Sequence, residues 1–324
     1  MLKRIKPIPT LTVLCFISII AYLFFWLLTQ SYGNISTHAI LRITQRRTLH
    51  LIAMIVSSTL IAFASLSFQT LTQNRILTPS VLGFDSIFSA TQTFVLFIFG
   101  ANSILLSNPY INFTLTSLIM ILVSLIVYGY LLKKYSKNIA FLLLFGLVIS
   151  TLLRSSSNFL QILMNPDKFQ SLVSLTTVSI SNIDTKLILY TLPFMLVIIV
   201  LFYRKSNQYD VMALGRDSAL SLGLDYDKTQ RSTLIYLSSA IAISTALIGP
   251  MTFLGLIAVN SAKELLKSYK HTQLFMTSSL LSIVLLILGQ LIIEQIGYIT
   301  SVTVLLNLVG GIYLIYLILK EGQL

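Results

Sequence analysis

Charge is scarce in this chain. Only 10% of its 324 residues are Asp, Glu, Lys or Arg, against 56% hydrophobic, and the mean hydropathy is +0.88. Soluble domains run nearer 25% charged, so the composition excludes an ordinary soluble fold and requires a polytopic membrane protein. Cysteine is nearly absent: Cys15 alone, inside the first apolar run, rules out a disulfide framework and a zinc site built on cysteine pairs. Such a residue reads as a small core hydrophobe. There are three histidines, His38, His50 and His271, scattered at the ends of apolar runs. No HExxH, GxSxG or paired carboxylates occur, which argues against a membrane hydrolase. No GxxxxGK[ST] occurs either, so the chain has no phosphate-binding loop of its own. The ten acidic residues fall outside the middles of the apolar runs. Ion-coupled transporters commonly keep a carboxylate at depth, and its absence here weakens that reading. No metal site is expected.

What the chain has in abundance is apolar runs of spanning length, about 20 residues each. They fall near 11–29, 50–70, 81–101, 112–132, 139–160, 186–203, 233–249, 252–268, 273–293 and 301–319. Gly249-Pro250 divides a long apolar stretch and reads as a turn between two helices, giving ten spans; a single kinked helix would give nine. The first run follows a basic start but is too long for a signal peptide and lacks a cleavage site, so it reads as an uncleaved span. The expected fold is all-α, a single polytopic helix bundle over 1–324. With the N-terminus inside, most basic residues fall on one side, as the positive-inside rule requires. The net charge of +12 is therefore a topological signal rather than a nucleic-acid footprint. Ten spans place both termini in the cytoplasm; nine would move Lys320 outside.

Exceptions to that bias carry information. Arg42, Arg46, Arg47 and His50 cluster on the outer side at the entrance to the second span, with Lys168 and Lys186 elsewhere on that side and Arg154 inside the fifth span. Interfacial snorkelling is the simpler reading of the cluster. The functional one is a docking patch for an acidic partner or an anionic solute.

Three polar or glycine-marked segments interrupt the apolar pattern. Phe68–Ser86 closes the second span with Gln69, Gln73, Asn74 and Arg75; Pro79 can open a helix, since a first-turn residue needs no amide proton. Arg204–Ser232 is the one long polar break. It contains two Leu-Gly pairs, Leu214-Gly215 and Leu222-Gly223, around Ala219. A helix from Gly215 to Gly223 is expected along the cytoplasmic surface, ended by a left-handed glycine, with Ala219 and Leu222 on one face as a knob for a partner's groove. Covering the bundle is its simpler role. Asp227 and Gln230 resemble a capping box opening the seventh span. The third segment, Ile248–Leu256, reverses at Gly249-Pro250 and offers Gly255 for close helix approach.

Together these segments resemble the permease subunits of ATP-binding-cassette importers for iron-siderophores, haem and cobalamin, from Arg42 to Gly322. In that family a basic pair opens the second span, matched here by Arg47 and His50 with Arg46 adjacent. An Asn-Pro-Leu-Ala-x-Pro-x-x-Leu-Gly turn resembles Asn74 to Gly83, with Gln69 before it and Arg75 replacing the first proline. A Leu-Gly-x-x-x-Ala-x-x-Leu-Gly coupling pattern is similar to Leu214, Gly215, Ala219, Leu222 and Gly223. A Gly-x-Ile-x-Phe-Val-Gly-Leu turn resembles Gly249 to Leu256, with Val259-Asn260 in place of Pro-His. Gly310-Gly311-Ile312 stands for Gly-Ala-Pro. The Asp and Arg usual near the ninth span are absent, with Gln290 and Glu294 nearby.

The resemblance implies a multi-pass permease of the bacterial cytoplasmic membrane that is no enzyme and binds no cofactor. ATP would be used by a separate dimer of ATPase subunits meeting about 204–232. Its other implied partners are a homo- or heterodimeric permease mate, an extracytoplasmic solute-binding lipoprotein docking on Arg42, Arg46, Arg47 and His50, and membrane lipid, with no nucleic acid. The Asn74–Ser86 wording points to a catecholate-type ferric siderophore as cargo. Haem or cobalamin import, an ion-coupled secondary transporter and a polytopic lipid enzyme are the alternatives.

Overall fold

A computed structural model describes residues 7–29, 37–135, 139–177, 180 and 183–321. The N-terminal cations Lys3, Arg4 and Lys6, as well as Lys137 and Gly322, lie outside the described residues. The described residues are helical throughout, without a strand. The helices in order are α1 (Pro7–Thr29), α2 (Thr37–Thr72), α3 (Phe84–Phe99), α4 (Ile104–Ser107), α5 (Pro109–Tyr135), α6 (Ile139–Ile162), α7 (Pro166–Thr176), α8 (Thr185–Arg204), α9 (Ser206–Met212), α10 (Arg216–Ser221), α11 (Tyr226–Ile248), α12 (Leu254–Leu266), α13 (His271–Gln295) and α14 (Val302–Glu321).

Seven described helices are long and apolar enough to cross a membrane: α1, α2, α5, α8, α11, α13 and α14. Two of the ten expected spans are much shorter than their apolar runs. The run 81–101 begins as a 3-10 turn, Pro79–Leu82, and only then becomes α3, whose 16 residues extend about 24 Å. Gly83 and Gly100, both at positive φ, bracket it. The run 252–268 is α12, with 13 residues and about 20 Å of length. It is separate from α11: the helix stops at Gly249 (φ +88°) and restarts at Leu254. The two-helix reading of Gly249-Pro250 therefore holds over the single kinked helix. Span 139–160 forms α6, 24 residues whose second half, Arg154-Ser155-Ser156-Ser157-Asn158, is polar.

The hub is α2. Its 36 residues extend about 54 Å, and it packs on α8, α11, α12 and α13. Small residues make this possible, because without a hydrophobic force between spans close packing must hold them. Ala53, Ser57, Ala62, Ala64, Ser65 and Ser67 are all buried. At Gly255 of α12 a Cβ would lie 1.9 Å from Ser65 Oγ and 2.6 Å from Ser65 Cβ, so only glycine permits this helix crossing. Gly310 of α14 meets Phe253 in the same way, at 2.1 Å. Around the hub, α1, α6 and α14 turn Leu, Ile and Phe side chains outward, as helices facing lipid or a second chain do.

An aromatic cluster closes the centre at one end. Phe63 of α2 lies 4.3 Å from Phe275 of α13 and 6.3 Å from Phe202 of α8, ring to ring. Tyr209 of α9 joins Phe275 edge-on at 5.9 Å. The polar break is thus anchored in the core through Tyr209 and Met212, both fully buried.

Candidate functional site

The Phe68–Ser86 turn, the polar run and the C-terminal half of α12, up to some 190 residues apart in sequence, meet at the end of the bundle where α2 stops and α13 starts. Gln69 near the end of α2 accepts a hydrogen bond from Lys263 Nζ of α12 at 2.7 Å. Asn260, one turn earlier on α12, donates to the Arg75 carbonyl at 3.0 Å. Gln73 donates to the Met212 carbonyl of α9 at 2.9 Å. His271 opens α13 with both its backbone N–H and its Nδ1 at 2.7 Å from Asp210 Oδ1, while its Nε2 lies 2.7 Å from Thr70 Oγ1. One carboxylate and one imidazole therefore join α2, α9 and α13. Backbone groups at broken helix ends need such partners.

Within the polar run, α10 is bounded by the two expected glycines. Gly215 (φ +93°) precedes it and Gly223 (φ +81°) follows it. The end is a Schellman arrangement: Leu224 N–H bonds to Ala219 C=O at 3.0 Å, and Gly223 N–H to Leu220 C=O at 3.0 Å. The expected pairing of Ala219 with Leu222 on an outward face does not hold. Ala219 is fully buried, while Leu214, Leu220 and Leu222 are 61%, 48% and 64% exposed. With only six residues in α10 and a left-handed turn after Leu222, the helical face ends before Leu222. Nor is there a capping box at Asp227. Asp225 caps α11, accepting the Lys228 N–H at 3.0 Å, and Asp227 pairs with Arg216 at 3.1 Å. That pair, with Arg216 stacked over Tyr226, fastens α10 to α11. Burial pushes the Tyr209 hydroxyl up to about 12, so it stays a neutral phenol.

The turn between α2 and α3 runs inward. Asn74 Oδ1 accepts the Ile76 N–H, Pro79 opens the 3-10 turn, and Gly83 takes the left-handed conformation against Ser150 of α6. The Leu82 carbonyl accepts from Tyr128 OH of α5. Asp85, in the first turn of α3, accepts a 2.6 Å hydrogen bond from Thr252 in the Gly249–Phe253 break. Pro250 lies in this break, which the Asp85–Thr252 hydrogen bond joins to α3.

At the opposite end the basic cluster divides. Arg42 and Arg46 are exposed and, with Asp184, line a shallow cavity beside the start of α8. Arg47 and His50 are turned inward. Arg47 grips Glu294 of α13 through both its terminal nitrogens, donates to the Tyr22 carbonyl of α1 and stacks on the Tyr22 ring at 4.4 Å. His50 is buried with Nε2 3.2 Å from the Ile183 carbonyl. Both side chains are thus engaged within this chain rather than turned to the outer surface. Sequence reasoning had noted Glu294 only as standing near the ninth span, and it missed Asp210 and His271 as a pair; neither has a local motif that names its partner. Among the described residues no cluster of His, Cys, Asp and Glu could hold a metal ion.

Residues 10–320 match the model of the FecCD transport family. The petrobactin import system permease protein YclO of Bacillus subtilis is 42% identical over 279 residues, covering 86% of this chain and 89% of its own. The petrobactin import system permease protein FatC of Bacillus anthracis is 30% identical over 297 residues, with 90% and 84% covered. A solved metal-chelate-type ABC transporter in an inward-facing conformation superposes with a TM-score of 0.81 at 19% identity, covering 97% of this chain and 99% of that one. The chain belongs to the FecCD transport family.

Proposed function

We propose that this chain is the permease subunit of an ATP-driven importer that carries a ferric siderophore across the bacterial cytoplasmic membrane. It crosses ten times, with both termini and the polar run on the cytoplasmic side. The observation that carries the mechanism is α10: a glycine-bounded helix with Leu214, Leu220 and Leu222 exposed, seated on buried Ala219 and joined to the core through Tyr209 and the Asp210–His271 pair. An apolar ridge on a firmly anchored base suits docking into a groove of an ATPase subunit. Motion of that subunit would reach α2 and α13 through the Asp210 and Gln73 hydrogen bonds. Two global states whose balance ATP shifts are all such coupling requires.

A second permease, identical or paralogous, completes the pathway. Support comes from α6, which exposes Arg154, Ser155, Ser156 and Asn158. Groups this polar on a spanning helix need water or protein beside them, which a pathway or a second permease would supply. At the outer end Arg42 and Arg46 would orient a solute-binding protein carrying matching carboxylates. Exposed pairs of this kind steer more than they hold. The finer assignment of a catecholate-type chelate rests on the Asn74–Ser86 wording, and the relatives named for petrobactin import support a siderophore cargo.

The test is uptake of radiolabelled ferric siderophores, haem and cobalamin in a strain deleted for this chain. Ferric-siderophore uptake should fall and return on complementation, with haem and cobalamin uptake unaltered. Loss of haem or cobalamin uptake instead would reassign the cargo. Transport by the chain alone under an ion gradient would reject the ATP-driven reading.

A further inference from the structure

A cavity of about 570 Å³ opens at the polar-run end of the bundle, between α2, α12, α13 and α14. Its charge is lopsided. Arg75, Lys263, Lys267 and Lys320 line it with one carboxylate, Glu264, which is already taken by Lys320 at 2.8 Å. Among the described residues, Arg75, Lys263 and Lys267 form no salt bridge. Lys263 is partly buried, and its ammonium has only the neutral Gln69 Oε1 as acceptor, at 2.7 Å. Gln69 is 2% exposed, and because Oε1 faces Lys263 its Nε2 is the free end; that buried donor has no partner. A partly buried ammonium with only a neutral acceptor and an orphaned buried donor are costly unless an anion joins them, and the exposed Arg75 and Lys267 add positive charge around the same cavity.

The remaining wall identifies the anion's setting. Leu66, Leu274 and Leu317 supply apolar surface beside the cations. Basic pockets between spanning helices take lipid phosphates in this way. We propose that the cavity seats a phosphate group, held by Arg75 and Lys263, with the headgroup of an anionic phospholipid as its source ahead of free phosphate. Guanidinium and ammonium groups make charge-assisted hydrogen bonds to phosphate oxygens. The seat lies between α12 and the α2–α3 turn, so an occupant would tie these two together beside Ala213 at the end of α9.

The complete importer, stripped of lipid and titrated with phosphatidylglycerol, phosphatidylcholine or inorganic phosphate, provides the test, with bound species counted by native mass spectrometry. Phosphatidylglycerol should bind and phosphatidylcholine should not compete. Arg75→Gln and Lys263→Gln should each weaken binding about tenfold, whereas Lys186→Gln at the opposite end should not. Lys267→Gln, on an exposed side chain, keeps the test valid if Lys263→Gln does not assemble; it should weaken binding in the same direction. Phosphate bound with the same variant dependence, and no lipid adduct, would keep the seat and assign it a soluble source. Equal binding of the two lipids, or binding of lipid and phosphate indifferent to all three variants, overturns the proposal.

Discussion

Arg47 of α2 and Glu294 in the last turn of α13 face each other as a two-point ion pair, with Arg47 Nη2 2.8 Å from Glu294 Oε2. The side chains are 11% and 16% exposed, and Tyr298 OH donates to the same carboxylate at 2.9 Å. The pair joins two helices of the hub and, through the Tyr22 carbonyl, a third. Removing one partner leaves the other charge uncompensated in a poorly solvated place.

Arg47→Ala should therefore lower stability by about 3 kcal/mol, read as a reduced melting temperature of the purified protein. Arg47→Ala combined with Glu294→Ala should cost less than the sum of the single changes. Unchanged melting with impaired solute-binding-protein capture would return Arg47 to the docking patch.

Charge reversal at Arg42 and Arg46 should act differently. Both side chains are exposed, so stability should change by less than about 0.5 kcal/mol. Association with the binding protein should slow, most at low salt. Association rates independent of ionic strength would argue against the assignment.

Ala219→Asp and Leu222→Asp separate folding from docking. Ala219 is fully buried, so a carboxylate there should disrupt α10 and reduce the amount of folded protein. Leu222 is 64% exposed. Leu222→Asp should leave the permease folded and reduce its co-purification with the ATPase. Normal ATPase recovery and transport with Leu222→Asp and Leu220→Asp together would remove α10 from the coupling interface.

Gly255→Ala should force α12 away from α2, since its Cβ would overlap Ser65. A loss of about 1–3 kcal/mol is expected. Ser65→Gly, which removes both clashing atoms, should restore part of it; Ser65→Ala should restore less, because Ser65 Cβ is itself 2.6 Å away. No rescue by either would mean that the backbone contact with Ile61 dominates.

Gly223→Ala tests the end of α10. With φ at +81° and open space around the position, the cost is conformational, about 1 kcal/mol. Gly223→Asn should cost less, because Asn tolerates the left-handed region. Both should be visible as faster amide exchange in α10 before any change in the spans.

How much of this was legible beforehand depends on the range of the force involved. Helices, membrane character, the α11–α12 break at Gly249 and the glycine bounds of α10 follow from local rules: hydropathy over about 20 residues, and a backbone conformation that favours glycine. Those rules act along the chain, so the sequence by itself determined them, together with the motif spacing that carried the family resemblance. Span length was less legible. Apolar residues at 81–101 and 252–268 look like full crossings, but α3 and α12 are buried against other helices, and hydropathy cannot tell a lipid-facing helix from one packed inside protein.

Which way each side chain faces was decided only by the tertiary structure. Arg42, Arg46, Arg47 and His50 look alike as a cluster of basic residues, yet the last two turn inward because Glu294, Tyr22 and the Ile183 carbonyl wait there, on segments 25 to 247 residues away. Ala219 turns inward and Leu222 outward because a left-handed glycine ends α10 and the Asp210–His271 pair fixes α9 beneath it. Burial and pairing depend on where distant helices come to rest, and that is set by the packing of the whole bundle rather than by any window of its sequence.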